Sequence, residues 1–197
     1  HILDQCLVRS SALKNVKSEV FEILYTGGMR GWLKFYPQSK NFRLLKLLLR
    51  IANSIGTYRC FELDVSSHTP IFIGRAIKSI CEKHPEWEGR IHFTQLGCSF
   101  TKYVTDEVLK SEGLTSYVSA VPPVTQEQVI ERIKSSQMLF MNMHTLKGGG
   151  ESRIFSGKTF EYLLTNRPIL ASFPEGENRK ILAESDGVWI TDPYDVE

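Results

Sequence analysis

Acidic side chains are missing from a long stretch of this chain. Between Glu22 and Glu62 there are none, while seven bases stand there: Arg30, Lys34, Lys40, Arg43, Lys46, Arg50 and Arg59. The 197 residues together carry 24 bases and 22 acids, a net charge of +2, so that stretch is +7 and the remainder −5. Cysteine is scarce. Cys6, Cys60, Cys81 and Cys98 are widely spaced, and none forms a C-x-x-C pair. That excludes a zinc ribbon and a thioredoxin-type redox motif, and reads as free core thiols in a reducing compartment. No run of 18 apolar residues occurs, which excludes a membrane-spanning helix. Internal repeats and low-complexity tracts are also lacking. The composition is 42% hydrophobic and 23% charged, with 14 Gly and 8 Pro. It excludes disorder and collagen-like repeats. The length suits one domain with a real core. The chain opens on His1 and stops at Glu197 inside what reads as an element. A longer parent protein, or residual tag residues, is the expectation.

Short apolar runs alternate with helical patterns. Strands are predicted at 20–25, 90–96, 116–121, 138–143, 168–173 and 188–191, and helices at 70–83, 100–111, 125–135, 159–164 and 176–185. Gly113 stops the second helix. Thr125, followed three residues later by Gln128, reads as a capping box. The run Met138 to Met143 is continuously apolar, as a strand buried on both faces would be. Repeated strand–helix alternation with short connections implies an α/β domain, a Rossmann-like doubly wound parallel sheet. Ligands of such folds bind beyond the carboxyl ends of the strands, where the strand order switches. The loops after Tyr25, Leu96, Val121, Met143 and Phe173 are therefore the places to look.

The most informative stretch is SGKTFEYLLTNRPILAS, Ser156 to Ser172. One reading is a P-loop, since Gly157-Lys158-Thr159 follows a strand and opens a helix. That motif needs a glycine five positions before Gly157. Ser152 stands there, and Gly148, Gly149 and Gly150 come too early. The loop from His144 to Thr159 is also long for a phosphate cradle, and no Asp ends a plausible Walker B strand.

The other reading is by likeness. The stretch resembles the segment SGK-x-FEYL-x-x-x-RPIL of the nucleotide-sugar-binding half of GT-B glycosyltransferases, especially family 4 retaining enzymes of bacterial polysaccharide synthesis. ILYTGGM (23–29), PIFIGRAIKSI (70–80), RIHFTQLG (90–97), VPPVTQEQVIERIKSSQMLF (121–140) and ILAESDGVWITDPYDVE (181–197) agree with that half in order and spacing. The resemblance covers about 20–197, except roughly 30–68. It implies a C-terminal donor-binding domain over 20–197, preceded by a linker remnant at 1–19. It implies transfer of a sugar from a nucleotide-diphosphate donor to a saccharide or lipid-linked acceptor. Retention at the anomeric carbon and no metal cofactor are also implied. The acceptor site would belong to an N-terminal domain absent here, so these residues alone would bind donor without transferring it. The location would be cytoplasmic, with peripheral contact at the inner membrane face, and without nucleic acid.

Such a donor has simple physical needs. Two phosphates call for backbone N–H groups and a cation, which a helix N-terminus and a basic side chain supply. Ser156, Gly157 and Lys158 are placed there. Gly157 allows close approach, and Lys158 acts on phosphate as a point charge. A carboxylate can accept from both ribose hydroxyls, and the resemblance gives Glu161 that role. Lys158 and Glu161 are thus the expected catalytic pair. Gly27 and Gly28 would meet the diphosphate, with Arg30 and Lys40 helping. Val121 and Pro122 would border the base, and 146–153 the sugar. Many family members carry two glutamates eight positions apart. Here Arg153 stands at the first position and Glu151 is two residues off. Arg153 is expected to face phosphate instead. Each residue also has a plainer reading. Glu161 at a helix start favours the helix dipole, Lys158 is solvated, and Gly27-Gly28 is a turn. His144 is a sugar contact or a satisfied structural histidine, and His68 and His92 are weaker candidates. A binding module without transfer chemistry remains the alternative of a different class, and a P-loop phosphotransferase the third.

The acid-free stretch contains FRLLKLLLRI, 42–51, an apolar helical pattern studded with bases. Three readings stay open: a core-packing helix with solvated charges, an amphipathic patch on anionic lipid, or help with the diphosphate. A sequence pI of 8.3 and the lack of any RNA or DNA motif speak against nucleic acid.

Overall fold

A computed structural model describes residues 20–29, 63–98 and 102–196. The seven bases from Arg30 to Arg59, the 42–51 pattern and the segment 1–19 lie outside the described residues, as do Cys6 and Cys60. The elements in chain order are β1 (Phe21–Thr26), β2 (Leu63–Asp64), α1 (Ile71–Lys83), β3 (Ile91–Leu96), α2 (Lys102–Ser111), β4 (Val118–Val121), α3 (Gln126–Ser135), β5 (Met138–Asn142), β6 (Thr145–Leu146), α4 (Gly157–Leu163), β7 (Ile169–Ser172), α5 (Glu177–Ala183) and β8 (Val188–Thr191). Six strands form one sheet in the order β4-β3-β1-β5-β7-β8. All its pairings are parallel. Counting only these six, the order is 3-2-1-4-5-6, the Rossmann-like doubly wound arrangement.

Side-chain alternation builds the two faces. Ile23, Tyr25, Met138, Phe140 and Leu170 point into one core, with Ile71, Ile77 and Cys81 of α1 and Val108 and Leu109 of α2. Leu24, Leu139, Met141, Ile169 and Ala171 point into the other, with Tyr162 of α4 and Leu182 of α5. Both faces are covered, so β5 is buried throughout and apolar up to Asn142 at its end, as suits a doubly buried parallel strand. The capping box of α3 is present: the Thr125 hydroxyl accepts from Gln128 N, and the Gln128 side chain accepts from Thr125 N. Cys81 and Cys98 are buried and unbridged.

The structure adds a two-stranded antiparallel ribbon in which Leu63 pairs with Leu146 and Asp64 with Thr145. Residues 63–68 thus belong to the domain, although the sequence reading placed them in the insertion. Ser66 and Ser67 are buried, and Ser67 Oγ donates to the Met143 carbonyl at 3.2 Å. Two-residue strands have no period to read.

One close approach fixes the loop ahead of α4. Ser152 N donates to the Glu175 carbonyl at 2.7 Å, and Ser152 bridges Gly176, the residue before α5. Gly176 has φ +149°, and a Cβ there would lie 2.1 Å from the Ser152 carbonyl oxygen. Backbone cannot yield as a side chain can. Gly176→Ala is therefore expected to destabilise the domain by at least about 2 kcal/mol. Urea unfolding followed by circular dichroism should show a lower midpoint at unchanged slope. An unchanged midpoint would mean that the loop moves freely.

Candidate functional site

The strand order reverses between β1 and β5. The chain passes from β1 outward to β3 and β4, then returns to β5 and continues to β7 and β8 on the other side. A crevice must open at such a place, because the connections leave the two central strands in opposite directions. A cleft of about 200 Å³ lies there, with Tyr25 and Gly28 from the end of β1 and Met141, Asn142 and Met143 from the end of β5. His68, His144, Ile154, Phe155, Ser156 and Lys158 complete its wall.

Among the described residues, Lys158 is the only lysine or arginine on that wall. It lies on α4, whose position is set by Tyr162, four residues on and on the same helical face. Tyr162 is fully buried. Its hydroxyl accepts from Thr26 N at 2.9 Å and bonds Thr26 Oγ1 at 2.8 Å, at the end of β1. Asn178 of α5 holds the approach to the helix, donating to the Ile154 carbonyl at 2.8 Å. Thr159 Oγ1 donates to Asn178 Oδ1 at 3.4 Å. The Lys158 side chain therefore leans over β1 rather than into solvent. Its ammonium lies 5.3 Å from the Tyr25 ring centroid. A Cβ on Gly27 would be 3.0 Å from Lys158 Nζ. Burial lowers the ammonium below the usual lysine range, and the nearby Glu161 carboxylate opposes that shift. Among the described residues Lys158 makes no ion pair. A partly desolvated cation outside any close ion pair is unusual in a protein interior.

Opposite Lys158, the Tyr25 hydroxyl lies 3.1 Å from His68 Nε2. The His68 and His144 rings meet edge to face at 5.9 Å. Asn142 donates to the Ser67 carbonyl at 3.2 Å, while its buried Oδ1 has no hydrogen-bond partner. An unpaired buried acceptor costs about 1–3 kcal/mol. Among the described residues, no group of three or more His, Cys, Asp or Glu side chains is placed to hold a metal ion.

The expected site residues separate into groups. Gly28, Ser156 and Lys158 line the cleft, and Gly27 abuts Lys158. Gly157 is the exposed first residue of α4. Glu161 is exposed and outside the lining, three residues beyond Lys158. It is the fifth residue of α4, and no acid occupies the first turn, so the helix-dipole account of Glu161 falls away. Arg153 is exposed and outside the lining. Val121 ends β4, two strands from β1, with its carbonyl accepting from Gly97 N and Cys98 N, each at 2.9 Å. Neither Val121 nor the exposed Pro122 borders the cleft. Arg30 and Lys40 lie outside the described residues. His144 is in the wall, and so is His68, which the sequence ranked below it. His92 bonds Ser119 Oγ at 2.8 Å on the neighbouring strand, a structural contact. The P-loop reading weakens further. Ser152 stands where the motif needs glycine, and its N–H is already used by Glu175.

No protein-family model matches the chain, and no curated protein matches it. Among solved structures, the chain is similar to a trehalose-6-phosphate synthase, OtsA, with a TM-score of 0.49 and 14% identity over 98% of this chain and 36% of that one. It is similar to an α,α-trehalose-phosphate synthase (UDP-forming) from Burkholderia vietnamiensis, with a TM-score of 0.49 and 12% identity over 99% and 38%. A third similar structure is from E. coli and was solved with UDP-2-fluoro glucose, with a TM-score of 0.47 and 14% identity over 98% and 37%. The chain spans little more than a third of these proteins. The likeness is one of overall path, and no residue role is carried over from it.

Removing the anchor of α4 should be measurable. Tyr162→Phe leaves the buried Thr26 N–H without its acceptor, at an expected loss of about 1–3 kcal/mol in denaturant unfolding. Stability equal to the parent would show that water or another acceptor replaces the phenol.

Proposed function

We propose that this chain is the donor-binding domain of a GT-B glycosyltransferase, with the cleft between β1 and β5 receiving a nucleotide-diphosphate sugar. The observation that carries this reading is Lys158: an unpaired, partly buried ammonium, held at the strand-order switch point against Gly27. A diphosphate would give this cation the close ion pair it lacks. The Gly157 and Lys158 N–H groups open α4 and, like the first N–H groups of any helix, have no partner within it. Helix and ammonium together offer a negative ligand both hydrogen bonds and charge.

Glu161 shares the exposed side of α4 near Lys158 and is the proposed acceptor for the ribose hydroxyls. Gly27 and Gly28 give the diphosphate room at the end of β1. The sugar is proposed to face His144 and the loop 146–153, where the Asn142 acceptor is also close by. In transfer, negative charge gathers on the departing diphosphate. Lys158 would stabilise it electrostatically, a strategy that needs no covalent step from the protein. Retention of configuration, a cytoplasmic setting, a saccharide or lipid-linked acceptor and a second, acceptor-binding domain belong to the same proposal. No helix among the described residues is long and apolar enough to cross a membrane.

Calorimetry with UDP, GDP and ADP, without Mg²⁺, tests the reading. UDP is the first probe because one structurally similar protein was solved with a UDP sugar. One nucleoside diphosphate is expected to bind. Lys158→Ala should weaken it about 10- to 100-fold, the worth of a charge-assisted contact. Glu161→Ala should weaken it by about 10-fold. Binding of ATP alone, strictly dependent on Mg²⁺ and lost in Lys158→Ala, would favour phosphotransfer instead.

A further inference from the structure

The placement of Lys158 needs its own cause. A lysine stem has four rotatable carbons, and an unpaired ammonium has every reason to leave a cleft for water. Lys158 stays between two walls. One is Gly27, whose missing side chain leaves the space that Nζ and Cε occupy, at 3.0 and 3.1 Å from where a Cβ would be. The other is the face of Tyr25. That ring is itself immobilised. Tyr25 is 3% exposed and packs against Phe140 at 6.5 Å between ring centroids. Its hydroxyl has one proton. Donated to the Gly28 carbonyl at 3.4 Å, it leaves the phenol oxygen to accept from His68 Nε2 at 3.1 Å. Ring face and hydroxyl thus engage different partners.

We infer that Tyr25 is the positioning residue for Lys158, its ring holding the ammonium at the cleft while its hydroxyl ties the same ring to His68 and Gly28. The inference rests on the reading of the cleft as an anion site only for its consequence. The placement itself can be tested without any ligand. A cation over a tyrosine face is attracted by the ring quadrupole, and phenylalanine would serve in the same way. An aliphatic side chain would not.

Reductive ¹³C-methylation of the folded chain gives each lysine a separate NMR signal, and Lys158→Ala identifies the one that disappears. In the parent, the Lys158 signal should be shifted upfield by the ring. It should stay shifted in Tyr25→Phe and move to the position of exposed lysines in Tyr25→Leu. Gly27→Ala, which crowds Nζ from the other side, should move it as well, and it carries the test should Tyr25→Leu fail to fold. The affinity for inorganic pyrophosphate, measured by calorimetry, should fall about 3- to 10-fold in Tyr25→Leu and stay within about twofold in Tyr25→Phe. An unshifted Lys158 signal in the parent overturns the inference. So does a Tyr25→Leu variant with parental signal and parental affinity, or a Tyr25→Phe variant as impaired as Tyr25→Leu. If Lys158→Ala binds pyrophosphate like the parent, the anion-site reading fails instead, and the NMR result still decides what Tyr25 does.

Discussion

The buried contact between Tyr162 and Thr26 is the constraint on which the cleft depends. α4 has seven residues, too few to be stable alone in water. It exists because its inner face is fixed to the sheet. Tyr162 supplies that face and spends its hydroxyl on the last residue of β1. Lys158 and Tyr162 are four residues apart and share a side of the helix. Sinking the tyrosine into the core therefore directs the lysine over the sheet end. Without that anchor, nothing on α4 would direct the ammonium toward the switch point. Asn178 secures the same helix from the α5 side, through Thr159 and the Ile154 carbonyl.

The electrostatics follow from this geometry rather than from composition. Outside the acid-free stretch the chain is −5, which by itself repels anions. A single ammonium lowered by burial can still collect one, because the medium around it screens less than water does. Desolvation raises the free energy of the unpaired cation, and an anion that pairs with it removes that penalty. Binding and protonation of Lys158 reinforce each other. The net charge of +2 hides this local effect as thoroughly as it hides the basic stretch.

Much of this fold was legible because its signals are local. β5 announced itself as an apolar run from Met138 to Met141, and α3 by Thr125 and Gln128 three residues apart. The helix start at Gly157-Lys158 was legible too, since the glycine and lysine follow a strand and precede a helical pattern. The rest depends on contacts that sequence spacing does not record. Tyr25 and His68 are 43 residues apart, and Thr26 and Tyr162 are 136. Tyr25 looked like one more β-former beside Ile23 and Leu24, and nothing in the run set its hydroxyl apart. Asn142 ended an apolar strand without showing that its amide would be buried half-satisfied. Glu161 was read as a helix-start acid because the helix was placed two residues late. With Gly157 as the first helical residue, its carboxylate lies beyond the turn where the dipole acts.

The same accounting of backbone donors separates the two readings of Gly157-Lys158-Thr159. A P-loop works by leaving successive loop N–H groups unspent around the phosphates. Here several of those donors are already engaged. Gly149 N goes to the Leu146 carbonyl, Ser152 N to Glu175, and Thr159 N to Ser156. The bridge between Ser152 and Gly176 then presses this segment against α5 rather than curling it around a ligand. The Gly157 and Lys158 N–H groups that open α4, beside the Lys158 ammonium, lack partners within the helix. Under the proposed reading, that set would serve two phosphate groups lying across the helix end rather than a triphosphate enclosed by a loop.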